Sequence, residues 1–229
     1  MNRVVKLLMI SDIFVYTGFG LIDPVIAIFF SEKIAGGSVF AAGLAVSLFM
    51  VTKSLVQLPF SKHVDENDDD DDLKWLIVGT FIVVLVPFLY MVASHIYMIY
   101  GIQVLYGIGA GLSYPAWLGL WSTHLDKKKE SFEWSLYSTL SGIGTAGAAT
   151  AGAAIAQYFG FNASFVFAGI MSLLGCFIIM DLKLKNGKNK SGVGSLLGAY
   201  GKFILRSIPA IILVSISFGG LMLMFGMFS

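Results

Sequence analysis

Ser-Gly-Ile-Gly-Thr-Ala-Gly-Ala-Ala-Thr-Ala-Gly-Ala-Ala-Ile-Ala, residues 141–156, consists almost wholly of Gly, Ala, Ser and Thr, yet it lies inside an apolar segment, 132–158, long enough to cross a membrane. A run of this kind gains little from burying bulky side chains. In lipid, small residues let helix backbones approach closely, so that van der Waals packing and weak cross-helix hydrogen bonds drive association. The run therefore reads as the central packing helix of a bundle, at either a static structural interface or a moving one.

The rest of the chain agrees. Its 229 residues are 57% hydrophobic and 13% charged, with a mean hydropathy of +0.82, far more apolar than an ordinary soluble domain. Seven apolar spans follow one another, at 4–30, 40–60, 75–94, 96–121, 132–158, 163–180 and 207–228. Each approaches or exceeds the ~20 residues a helix needs to cross the hydrocarbon core. The expectation is an all-α, polytopic membrane helix bundle. It comprises a six-helix unit over 1–182, a basic cytoplasmic linker over 183–206 in which 196–206 suits a surface amphipathic helix, and a seventh hydrophobic span over 207–229.

The first span is too long for a cleavable signal peptide, contains Asp12 and Asp23, and lacks a small-residue cleavage site, so it stays in the mature protein. With alternating spans, Arg3, Lys6, Lys62, Lys74, Lys127, Lys128, Lys129 and the basic residues of 183–190 share one side, and Lys33 alone marks the loops of the other. The positive-inside rule puts that basic side, and with it the N-terminus, in the cytoplasm. A plasma (inner) membrane is the expected location. The lone Cys176 excludes an intrachain disulfide.

Polar groups at membrane depth are expensive and mark functional sites. Asp12 and Asp23 lie about 16 Å apart along the first span. Between them, Gly18, Gly20 and Pro24 mark a bending point. Lys53 in the second span reaches a depth comparable to Asp12, which invites pairing of the two; the alternative is an ammonium snorkelling to the interface. In the fourth span, Gly107 and Gly111 form a small-xxx-small packing face with Gln103 one turn before them. Gly147 and Gly152 are the packing positions expected in the small-residue run.

The segment 65–72 holds seven acidic residues and reads as a solvated, self-repelling loop. Asp68, Asp70 and Asp72 have the alternate spacing of a calcium loop, but Leu73 stands where its glycine belongs and Gly79 where its final glutamate belongs. His63, His95 and His124 fall near three different span edges. No metal-ligand helix motif or nucleophile elbow is present, so neither metal, cofactor nor enzymatic chemistry is expected, and nothing suggests a nucleic-acid partner. In the last span, Ser217-Phe-Gly-Gly-Leu-Met222 weakly echoes Gly18-Phe-Gly-Leu-Ile22, as the start of a second internal repeat would.

These residues also resemble a family, the major facilitator superfamily, and in particular the N-terminal six-helix half of such a transporter. Gly147-Ala-Ala-Thr-Ala-Gly152, followed by Gly160-Phe161, is similar to the family's Gly-Pro-x-x-Gly-Gly stretch and later Gly-Trp turn, with Ala148 in place of the proline. Gly107-Ile-Gly-Ala-Gly111 resembles the glycine part of Arg-x-x-x-Gly-x-Gly, with Gln103 at the arginine position. Asp65 matches the aspartate of Gly-x-x-x-Asp-Arg-x-Gly-Arg-Arg, whose basic residues are here Glu66 and aspartates. The resemblance covers about residues 1–182. It implies alternating access, with a small-molecule substrate held near the bilayer midplane between two six-helix bundles.

Only one such bundle is present, so the resemblance further implies a homodimer or another partner that supplies the second. The expected function is a half-size secondary transporter with Asp12, Asp23, Lys53 and Gln103 as polar cavity residues and proton or ion coupling through a carboxylate. The competing expectation is a non-transporting membrane scaffold or a truncated transporter fragment.

Overall fold

The computed structural model describes residues 1–182; the expectations for 183–206 and 207–229 lie outside the described residues. Within 1–182 the chain is helical almost throughout, with all-α architecture. Helix α1 spans Arg3–Gly20, and Asn2 caps it by accepting a hydrogen bond from the Val4 amide. The expected bend falls where the sequence places it. α1 ends at Gly20, and α2 (Asp23–Ile28) restarts with Pro24 in its first turn, where a missing N–H costs nothing. A π-helical turn, Phe29–Lys33, completes the first crossing.

The remaining elements are α3 (Val39–Glu66), α4 (Asp69–Val92), α5 (Ile96–His124), α6 (Glu130–Phe159) and α7 (Phe161–Met180). Ser38 caps α3 by accepting from the Ala41 amide, and Gly160, at φ +87°, supplies the left-handed turn that separates α6 from α7. Segments 3–33, 39–66, 69–92, 96–124 and 161–180 are long and apolar enough to cross a membrane. α6 has the length at 30 residues, but its Gly, Ala, Ser and Thr leave it short of that apolarity.

Helix α5 packs against α3 and α4, α1 packs against α7 and α6, and α4 against α7 joins the two groups. Close approach explains the glycines of α5. A Cβ on Gly107 would lie 2.7 Å from Thr52 Cβ and 2.8 Å from the Phe49 carbonyl oxygen, and one on Gly111 would lie 2.7 Å from Val56 Cβ. Both stand where α5 comes close to α3.

The small-residue helix is not central. α6 buries only Glu133, Ala148 and Gly152, and lies against α1 and α7 at the edge of the bundle. Its inner stripe, Glu133, Tyr137, Ser141, Thr145, Ala148 and Gly152, follows helical periodicity, whereas Gly142, Ala146, Gly147, Thr150, Ala151 and Ala154 form an exposed, mostly small-residue face interrupted by Leu140 and Ile143. Gly152 packs, because a Cβ there would strike the Leu21 carbonyl at the α1–α2 break. Gly147 does not: a Cβ there would meet nothing within 4 Å. Small residues permit close approach on both faces of this helix, and the described residues use one face.

The acidic segment also departs from expectation. Asp69 to Asp72 form the first turn of α4, where carboxylates complement the helix dipole, and Asp71 and Asp72 are buried. Nε2 of His63 lies 3.0 Å from Asp71 Oδ2, and Nε2 of His124 lies 3.7 Å from Asp69 Oδ2. Two of the three histidines thus meet one acidic turn at one end of the bundle rather than lying at separate edges. At that end the Met1 ammonium lies 2.6 Å from Asp126 Oδ2 and 3.6 Å from Glu133 Oε1, and the Asp126 amide donates to Glu133 Oε2 at 3.2 Å. The ammonium beside Asp126, by hydrogen bond above all, holds its carboxyl below the usual carboxylate range. At the opposite end, Ala35 accepts from the Ile96 amide and donates to Ser94, tying the α3 entry to the α4–α5 turn.

Candidate functional site

Between the helices lies a cavity of about 450 Å³ lined by residues of every helix from α1 to α7. All four polar residues expected to face a cavity, Asp12, Asp23, Lys53 and Gln103, are in its wall. The α1–α2 break makes this placement possible, since it carries Asp23 into the wall one bend after Asp12. Tyr16, Val46, Met50 and Tyr114 line the same space while remaining exposed, so the cavity opens to one side of the bundle.

Asp12 does not pair with Lys53. It accepts a hydrogen bond from the Tyr137 hydroxyl of α6, a buried contact of a type worth about 0.5–3 kcal/mol. Tyr137 is held by Trp117 and Trp121 of α5 and by its neighbour Trp134, with ring centroids 5.1, 5.2 and 6.2 Å away. Trp117 and Trp121 stack at 5.0 Å. The aromatic group therefore fixes the phenol that fixes the carboxylate. Tyr137 is not among the cavity residues expected from the sequence. The signal was available in the four-residue spacing of Glu133, Tyr137 and Ser141, which lays polar groups along one helical face.

The Lys53 ammonium sits 4.8 Å from the centroid of the Tyr114 ring, a cation–π contact worth about 0.5–2 kcal/mol depending on desolvation. It turns to a ring inside the cavity rather than to the membrane interface. Gln103 is only 5% exposed, and its Oε1 has no hydrogen-bond partner among the described residues. An unpaired buried carbonyl costs about 1–3 kcal/mol, which a ligand donor would recover. Asp23 is exposed and makes no hydrogen bond or ion pair among the described residues. Phe19, Tyr106 and Phe49 stack in series at 5.0 and 4.2 Å, an apolar column contributed by α1, α5 and α3. Chemically, the cavity offers two carboxylates, one ring-bound ammonium, one free carbonyl and several aromatic faces.

A six-helix membrane bundle with a polar cavity open on one side has a counterpart among known proteins. The sequence profile of the Major Facilitator Superfamily matches residues 8–229. The chain belongs to the Major Facilitator Superfamily. Among solved structures, the in meso crystal structure of the POT family transporter PepTSo is similar, with a TM-score of 0.62 at 13% identity over 91% of this chain. At that identity the likeness is one of fold. This Major Facilitator chain spans about half of that transporter, 48% of its length. Comparison with curated proteins gives no match. Family and fold together make the chain a transporter-type, multi-pass integral membrane protein.

Proposed function

We propose that the bundle is one half of an alternating-access carrier for a small molecule, with the cavity between α1, α3, α5 and α6 as its side of the substrate site. The observation that carries this reading is the cavity itself: two carboxylates, a lysine and an unpartnered glutamine face a space open toward one flank of an otherwise apolar bundle. Groups of this kind inside a membrane bundle line substrate or ion pathways. No enzymatic step is assigned.

The open flank calls for a second six-helix bundle, and the exposed small-residue stripe of α6 supports close helix approach there. A second copy of this chain, paired about a two-fold axis, is the simplest source. In this reading the N-terminus faces the cytoplasm of a plasma (inner) membrane, and Asp12 and Asp23 are the groups through which a proton or ion couples to the substrate.

The test uses single cysteines at positions 23, 53 and 103 in a Cys176→Ser background, reconstituted in nanodiscs. A wet substrate cavity makes all three react with a membrane-impermeant thiol reagent, and bound solute protects them. Three unreactive positions mean a closed, dry bundle and favour a scaffold.

A further inference from the structure

We infer that the solute this cavity accepts is an organic cation: an ammonium group on an apolar, ring-sized body. The inference rests on the substrate-site reading above and narrows it to one chemical class.

The wall contains two carboxylates against one ammonium, and neither carboxylate is neutralised by that ammonium. Asp12 has a phenol donor, Tyr137. Asp23 opens into the cavity with no ion pair among the described residues. Lys53 is housed on the face of Tyr114. An anionic solute entering this space meets two carboxylates and one cation already held by a ring. A cationic solute meets two acceptors, in surroundings where charge interactions are screened far less than in water.

The neutral part of the wall has the same preference. The Phe19, Tyr106 and Phe49 stack, whose inner faces are spent on one another, covers an apolar, ring-sized body. Gln103 Oε1 is a buried acceptor without a donor, and an ammonium brings donors only. The Lys53–Tyr114 contact shows an alkylammonium seated on an aromatic face in this same cavity. Lys53, the Gln103 amide N–H, the unpartnered Nε1–H of Trp117 and the wall's hydroxyls can all donate to an acceptor. Of these only Lys53 is charged, and it is outnumbered by two carboxylates.

The experiment compares four probes with the same phenyl body in the full chain in nanodiscs at neutral pH: 2-phenylethylamine, 2-phenylethanol, phenylacetate and phenylalanine. Binding is read by calorimetry and by tryptophan fluorescence. The amine is expected to bind about tenfold or more tightly than each of the others, the size of one charge-assisted contact. An Asp12→Asn, Asp23→Asn double variant should lose that preference while its weak binding of 2-phenylethanol is kept. Lys53→Met, which leaves both carboxylates in place, should tighten the amine several-fold and weaken phenylacetate.

Phenylacetate or phenylalanine binding as tightly as the amine overturns the inference. So does a preference that survives the double variant, or no amine binding at all up to about 10 mM, well above the range of useful carrier sites. Thiol labelling at position 103 in the same nanodiscs separates the two levels of the argument. A labelled cavity that does not prefer the amine overturns the cation class alone, and an unlabelled one overturns the substrate site as well.

Discussion

Two glycines five residues apart in α6 should respond to alanine in opposite directions. At Gly152 the new methyl would be driven into the Leu21 carbonyl, and even the Leu21 Cα would be only 2.5 Å away, where ordinary contact begins at 3.4 Å. The atoms in the way are backbone at the α1–α2 break, so they cannot rotate aside. α6 must move off by roughly an ångström, which also loosens the hydrogen bond from Ser164 Oγ to the Gly152 carbonyl. Overpacking of this kind costs about 1–3 kcal/mol, partly offset by the gain of up to about 1 kcal/mol in helix propensity. At Gly147 nothing among the described residues lies within 4 Å, so within a single bundle only the propensity gain remains. Thermal unfolding in a detergent that keeps single chains apart, followed by tryptophan fluorescence, should show Gly152→Ala lowered by several degrees and Gly147→Ala unchanged or slightly raised, at about 2–4 °C per kcal/mol. Equal effects at the two sites, or a more stable Gly152→Ala, would refute the placement of α6.

Three further outcomes follow from the contacts described. His63→Ala removes the partner 3.0 Å from the buried Asp71 carboxylate, and should cost about 1–3 kcal/mol in the same unfolding assay; no loss would return the acidic turn to solvent. Tyr137→Phe keeps the aromatic packing and deletes the donor to Asp12, with an expected loss of about 1–3 kcal/mol and altered probe binding in the cavity; a variant identical to the parent in both would separate Asp12 from Tyr137. Asp23→Asn should abolish coupled uptake into liposomes while leaving the unfolding midpoint within about 2 °C of the parent, and unchanged uptake would remove Asp23 from the mechanism.

Five of the crossings were legible because apolar length sets membrane helices almost by itself, and the bend at Gly20 to Pro24 was legible because glycine and proline act locally. The four polar cavity residues were legible for a related reason, since a charge or amide in hydrocarbon needs a stated purpose. Pairings were not. Whether Asp12 meets Lys53 or Tyr137 depends on the rotation of α1 against α6, which depth along the membrane does not fix. The small-residue run gave the material of an interface without its address: one stripe meets α1 and the α1–α2 break, the other meets nothing among the described residues. Composition also misread 65–72. Like charges repel along a loop, but four carboxylates at a helix start gain from the dipole, and His63 and His124 are positioned to meet two of them.

The account turns on a second bundle closing the open flank of the cavity, and the mass of the purified protein in nanodiscs or mild detergent tests this most directly. Light scattering that separates protein from detergent should give twice the 24.8 kDa of one chain, and Gly147→Trp, which fills the exposed stripe of α6, should return it to one without unfolding the bundle. A single-chain mass for the parent, with no partner protein co-purifying, would leave the cavity facing lipid and contradict the account.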